Sequence, residues 1–255
     1  MPVRIAVGEV ELDGDLSTPA DALGVVLFAH GSGSSRFSPR NRHVAEVLNR
    51  ARFATLLVDL LTSQEEAIDM RTARLRFDIG RLAERLIGST DWLSGYPGTR
   101  GLSIGYFGAS TGAGAALVAA PERTRSVAAI VSRGGRPDLA GPALPRVRAP
   151  TLLIVGGNDE PVITLNRTAL AQLRCEKQLV IIPGATHLFE EPGALDEAAR
   201  LACEWFGRHL SPGASQSRGD HPKIWRDPGP RGDAVLYRPV RAYFHRAAAK
   251  HRLDR

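Results

Sequence analysis

Residues Ile104 to Ala116 read IGYFGASTGAGAA, and this stretch decides the fold. Mostly apolar residues lead into Gly108-Ala109-Ser110-Thr111-Gly112, and a run rich in Ala and Gly follows. Physically this is a buried strand, a very tight turn and a helix. Ser110 sits at the top of the turn, and glycine stands two residues before and two after it, where a side chain would collide with its neighbours. Such a G-x-S-x-G elbow holds a serine hydroxyl above a sheet in a strained backbone conformation. The pentapeptide alone is not decisive, because Gly101-Leu102-Ser103-Ile104-Gly105 matches it too. Ser103 follows a polar loop and precedes a strand. Ser110 follows a strand and precedes a helix, as the elbow requires.

Outward from this stretch, apolar runs alternate with amphipathic segments. Gly24 to Ala29 is continuously apolar, as a strand buried on both faces should be. It runs into the loop His30-Gly31-Ser32-Gly33-Ser34-Ser35. Ser38-Pro39 then offers an N-cap and a proline at the first helical position. Further strands are expected at 54–61, 127–131, 151–155 and 178–182. Helices are expected over 64–87 (one or two, with Ile68, Leu75, Ile79, Leu82 and Leu86 at helical spacing), 164–173 and 194–210. Val3 to Leu12 reads as a strand, Asp13-Gly14-Asp15 as a turn, and Leu16 to Thr18 as the start of a returning strand. The expected fold is α/β: a mainly parallel eight-stranded sheet with helices on both faces, in one catalytic domain over residues 1–210.

Residues 211–255 differ in character. They hold 10 of the 33 basic residues and 4 of the 27 acidic ones, which accounts for the whole net charge of +6 and leaves residues 1–210 balanced. The body therefore has no net charge with which to attract nucleic acid, and no nucleic-acid or membrane partner is expected. The extension is rich in Gly and Pro and reads as partly disordered, with a basic helix over 238–253 as an option. Cys175 and Cys203 lie far apart and read as reduced packing thiols. With no signal-peptide-like apolar run in the first 15 residues, the expected compartment is the cytoplasm.

A serine nucleophile needs a base to take its proton and an acid to orient that base. In an open parallel sheet, functional groups gather beyond the carboxyl ends of the strands. His187 stands just past the last strand of the body, in Gly184-Ala185-Thr186-His187, and Asp159 stands just past the one before, in Gly157-Asn158-Asp159. The order Ser110, Asp159, His187 is the one found in α/β-hydrolases. Asp138, beyond the strand that follows the elbow, is the rival acid. His30, in the loop at 30–35, reads as a residue that holds that loop in shape. Two backbone N–H groups should form the oxyanion hole, from Thr111 at a helix N-terminus and from Ser32. Arg133 and Arg136 fall near where substrate would enter, and a guanidinium there suits a carboxylate-bearing substrate, the alternative being ordinary surface arginine.

Taken together, the His30-Gly31 loop, the G-A-S-T-G elbow, Gly157-Asn158-Asp159 and Gly184-Ala185-Thr186-His187 resemble the α/β-hydrolase superfamily, most closely its compact dienelactone hydrolase-like branch. The resemblance covers residues 3–210 and implies a serine-type carboxylic ester hydrolase that acts on a small acyl substrate and needs no metal or organic cofactor. Dienelactone hydrolases proper carry cysteine at the elbow, where this chain has Ser110, so the resemblance carries ester hydrolysis rather than the dienelactone substrate. The same machinery would serve a thioesterase, an acyltransferase or a small peptidase, and a non-catalytic ligand-binding protein is the alternative outside enzymology. Only about 19 residues separate the strands ending at Val131 and beginning at Thr151, too few for a helical cap domain.

Overall fold

The computed structural model describes residues 1–211 and two short strands of the extension, Arg226–Pro228 and Ala234–Tyr237. The strands of the body are β1 (Pro2–Val7), β2 (Val10–Ser17), β3 (Gly24–Ala29), β4 (Phe53–Val58), β5 (Ile104–Ala109), β6 (Val127–Arg133), β7 (Thr151–Gly156) and β8 (Lys177–Ile182). The helices are α1 (Pro39–Arg50), α2 (Ser63–Thr72), α3 (Ile79–Gly95), α4 (Thr111–Ala119), α5 (Glu160–Gln172) and α6 (Ala194–Leu210). Strand order is β1-β2-β4-β3-β5-β6-β7-β8, with β3 to β8 parallel and the β1–β2 hairpin antiparallel at one edge. The two extension strands, β9 (Arg226–Pro228) and β10 (Ala234–Tyr237), continue the sheet past β8, where β10 pairs parallel with β8 and antiparallel with β9. The possible basic helix over 238–253 lies outside the described residues.

The core is two layers, one on each face of the sheet. Alternation along β5 shows how the sequence feeds both: Tyr106 enters the layer under α3 and α4, and Phe107 enters the layer under α1 and α6. Helix α4 is buried almost throughout, and its Ala and Gly residues let its backbone lie close to the central strands. On the opposite face, α6 buries Ala198, Ala202, Trp205, Phe206 and Leu210. Full burial of a side chain such as Phe206 contributes about 1.5–3 kcal/mol.

The N-terminal hairpin turns elsewhere than expected. The turn is at Gly8-Glu9, between the paired residues Val7 and Val10, and Gly8 has φ 59°. Asp13-Gly14-Asp15 runs straight through β2 instead. Leu12 and Leu16 are buried, while Asp13 and Asp15 face Arg4, Arg36 and Arg42. Period-two burial with charge pairing outweighs the local turn preference of D-G-D. The region 64–87 is two helices joined by a 3-10 turn at Leu75–Phe77, and Ile68 is exposed rather than in the core. Helix α5 begins four residues earlier than expected. Helix α1 starts at Pro39, with Ser38 Oγ accepting from the Asn41 N–H, and α6 has the expected bounds. Between β6 and β7 the chain makes only a 3-10 segment, Pro137–Arg146, so no helical cap domain is inserted there. Among the described residues no helix is long and apolar enough to cross a membrane.

Candidate active site

The elbow is built by close packing. Ser110 has φ 49° and ψ −123°, a conformation that costs a non-glycine residue about 1–3 kcal/mol and persists only when its surroundings dictate it. Those surroundings are visible. A Cβ on Gly112 would lie 2.2 Å from the Ala29 carbonyl oxygen, and one on Gly108 would lie 2.5 Å from Ala113 Cα. Only glycine lets α4 approach β3 and β5 this closely. The Ser110 carbonyl accepts from the Arg136 N–H at 3.0 Å and the Ala113 N–H at 3.1 Å, which ties the elbow to the loop after β6. Ser103, the second pentapeptide match, immediately precedes β5 at the opposite end of the sheet, where its carbonyl pairs with the Val25 N–H.

The loops after β7 and β8 are stitched together. The Gly157 N–H bonds the Ile182 carbonyl at 2.8 Å, the Asn158 N–H bonds the Ala185 carbonyl at 2.9 Å, and Asn158 Nδ2 donates to the Gly184 carbonyl at 2.9 Å. This places Asp159 Oδ2 2.7 Å from His187 Nδ1. The carboxylate is largely buried, while the imidazole is more open, with 39% of its side chain exposed. Gly134, next to the end of β6, packs against the same loop, so close that a Cβ there would lie 3.1 Å from the His187 carbonyl oxygen.

The rival residues are engaged elsewhere. Asp138 forms a two-point ion pair with Arg136, at 2.8 and 2.7 Å, which commits both the alternative acid and one of the two candidate substrate arginines. His30 Nε2 accepts from the Leu60 N–H at 3.2 Å, so its proton sits on Nδ1, which donates to the Gly31 carbonyl at 3.0 Å. It therefore holds the β3 loop against the end of β4. Asp59 accepts from the Arg36 backbone and pairs with its guanidinium.

Ser32 and Thr111 are neighbours, with their hydroxyl oxygens 3.0 Å apart. A cavity of about 130 Å³ opens beside them, lined by Gly31, Ser32, Asp69, Met70, Arg76 and Thr111 among others. Asp69 anchors the wall opposite the β3 loop: it accepts from the Leu75 and Arg76 N–H groups and from Arg76 Nε. Burial alone would raise its carboxyl, but these donors outweigh it and hold the group below the ordinary carboxylate value.

Two polar residues near the site had no motif to reveal them. Asn166 on α5 is fully buried, and its Nδ2 donates to the Gly135 carbonyl at 3.0 Å, fixing the loop that carries Gly134 and Arg136. Arg133, the last residue of β6, is found by its place in the chain, but its burial, with 7% exposure, has no signal in the sequence. Burial first, and the charge of Arg40 second, push its guanidinium down to about 10.

Comparison with known proteins agrees with this architecture. Two curated proteins from Mycobacterium tuberculosis strains, provisionally named phosphoribosyl transferases, are each 58% identical over 214 residues, which is 84% of this chain and 47% of theirs. The chain thus spans about half the length of these curated relatives. A crystal structure of dienelactone hydrolase from Anabaena variabilis is 66% identical, with a TM-score of 0.81, covering 82% of this chain and 97% of that one. Est1E from Butyrivibrio proteoclasticus, at 16% identity and a TM-score of 0.67, covers 80% of this chain and 97% of its own, and shares the fold. The family model for the dienelactone hydrolase family matches residues 12–210. On its fold, its elbow and this match, the chain belongs to the dienelactone hydrolase family of α/β-hydrolases.

Proposed function

We propose that this chain is a serine hydrolase of small carboxylic esters or related acyl compounds, working through an acyl-enzyme. The observation that carries the reading is the Asp159–His187 contact at 2.7 Å, formed across the same end of the sheet as the strained Ser110. In this reading Asp159 accepts the Nδ1–H of His187, which leaves the Nε2 lone pair to take the Ser110 proton. The Ser110 oxygen attacks the carbonyl carbon. The backbone N–H groups of Thr111 and Ser32 stabilise the tetrahedral oxyanion, aided by the positive end of the α4 dipole. His187 then protonates the leaving group, and water, deprotonated by the same imidazole, cleaves the acyl-enzyme.

The cavity beside Ser32 and Thr111 supports a small acyl group. At about 130 Å³ it is close to the roughly 150 Å³ that accepts a benzene-sized group. The transferase name belongs to proteins about twice the span of this match, and the matched half is the one with the hydrolase fold; we assign acyl hydrolysis, and no transferase activity, to this chain.

The test is labelling with a fluorophosphonate probe together with turnover of aryl esters of graded acyl length. The wild type should be labelled and should prefer short acyl chains, and Ser110→Ala should abolish both. An unlabelled wild type, or labelling that persists in Ser110→Ala, would overturn the proposal.

A further inference from the structure

Asn166 is a polar side chain with no exposure to solvent, and its two partners belong to different parts of the site. It sits on α5, about two turns beyond the start of that helix at Glu160. Its Nδ2 donates to the Val162 carbonyl, one turn back on the same helix, at 2.8 Å. The same nitrogen donates to the Gly135 carbonyl, in the loop after β6, at 3.0 Å. Both amide donors are thereby used. Its Oδ1, by contrast, is shielded from solvent and has no partner among the described residues. Burying an acceptor unpaired is costly, and an aliphatic side chain of similar size would avoid that cost, so packing alone does not account for an amide in this place.

What the amide joins does account for it. Asp159 is the N-cap residue of α5, yet its carboxylate makes no cap bond and faces His187 instead, so its placement follows that of the helix. At the other end of the bridge, the loop of Gly135 holds the backbone of the nucleophile from both sides. The Arg133 carbonyl accepts from the Ser110 N–H at 3.4 Å, and the Arg136 N–H donates to the Ser110 carbonyl at 3.0 Å. The loop has little room to relax. The Gly134 N–H is bonded to the Ile154 carbonyl at 2.8 Å, and a Cβ on Gly135 would lie 1.9 Å from Ser132 Oγ and 2.6 Å from Ala113 Cβ. A shift of α5 relative to this loop would therefore move Asp159 relative to Ser110.

Resting on the serine hydrolase reading, we infer that Asn166 is a positioning residue for the reaction: its amide fixes the helix that begins at Asp159 against the loop that holds Ser110, and so keeps acid, base and nucleophile aligned. It touches no substrate and acts only through these two elements. A misplacement of about 1 Å from such a distant change can slow a reaction about 10²-fold.

The experiment uses two variants of the full chain. Asn166→Leu keeps the volume and removes both bonds. Asn166→Ser keeps a donor for the carbonyl four residues back on its own helix, but is too short to reach Gly135. Each is measured for fluorophosphonate labelling rate, for kcat and KM on one aryl ester, for melting temperature, and by proton NMR for the low-field resonance of the His187 Nδ1–H shared with Asp159. Well below the melting temperatures, both variants should be labelled and turn over about tenfold or more slowly than the wild type, with KM changed less than about twofold. The His187 resonance should broaden or move upfield in both. Variants that melt lower but are labelled and turn over at the wild-type rate would mark a merely structural residue and overturn the inference. A loss confined to Asn166→Leu overturns it too, because the Val162 bond and not the bridge to Gly135 would then carry the effect. An unlabelled wild type ends the hydrolase reading instead; the resonance needs no turnover, and its response in the two variants then decides the positioning role alone.

Discussion

Asp159 Oδ2 lies 2.7 Å from His187 Nδ1, while the rival carboxylate, Asp138, is held in a two-point ion pair by Arg136. In the proposed reading the two acids beyond neighbouring strand ends therefore have different tasks. Asp159→Asn should lower kcat about 10³–10⁴-fold with little change in fold, because an amide stabilises the wrong imidazole tautomer. Asp138→Asn should lower kcat less than tenfold, its effect passing only through the loop that holds Ser110. Steady-state kinetics of the two variants on one aryl ester decide between the acids; a larger loss in Asp138→Asn would reverse the assignment.

The strain at Ser110 predicts a gain in stability when it is relieved. Ser110→Gly should raise the unfolding free energy by about 1 kcal/mol, since a strain of about 1–3 kcal/mol is offset by the greater freedom of glycine in the unfolded chain. The same variant should lose all labelling by a fluorophosphonate. Urea unfolding of wild type and variant measures the first effect; a less stable Ser110→Gly would show that the elbow is not strained.

At Ser32 the proposed oxyanion donor is the backbone N–H, not the hydroxyl. Ser32→Ala removes the contact with Thr111 and should cost less than tenfold in kcat. Ser32→Pro removes the N–H and should cost about 10²–10³-fold, the usual effect of losing one donor of about 2.7–4 kcal/mol. Melting temperatures of both variants separate this from unfolding of the loop. Equal losses in the two would move the donor elsewhere.

Acid should loosen the wall formed by α2 and the turn after it. Burial would raise the Glu65 carboxyl, but the Thr62 N–H of the capping box and the guanidinium groups of Arg85 and Arg81 outweigh it, so Glu65 lies below its ordinary value, as Asp69 does. Groups with depressed folded values contribute stability that is complete above their unfolded values of about 3.9–4.3 and is lost as pH falls through the folded ones. Protease cleavage within residues 63–77 should thus rise below about pH 4 before the central sheet unfolds. Glu65→Gln should reduce stability at neutral pH by about 1 kcal/mol and flatten this acid dependence.

Much of this was legible in the chain. The alternation of continuous apolar runs with amphipathic segments dictates a parallel sheet covered on both faces, and the glycines flanking Ser110 dictate the elbow. The chain order of Ser110, Asp159 and His187 follows from where chemistry gathers in such a sheet. These are local or topological properties, set by side-chain period and by backbone sterics. The turn at Gly8, the exposure of Ile68 and the passage of Asp13-Gly14-Asp15 through β2 were not legible, because each depends on what the segment packs against. The sheet position of β9 and β10 depends on pairing with β8, which composition does not encode.

At the candidate site the division is the same. The sequence by itself determined the residue types: a serine on a turn that only glycine neighbours permit, and a carboxylate and an imidazole beyond successive strands. Tertiary structure alone decided which acid meets the imidazole, that His30 is consumed in holding a loop, and that Arg136 is paired while, among the described residues, Arg133 has two donors without a partner. The physical reason is that a side chain's charge and hydrogen-bonding capacity are fixed by its identity, whereas whether that capacity is spent depends on partners distant in the chain. Arg133 and Arg136 stand three residues apart with the same guanidinium; only folding gives one a carboxylate and leaves the other buried with donors to spare.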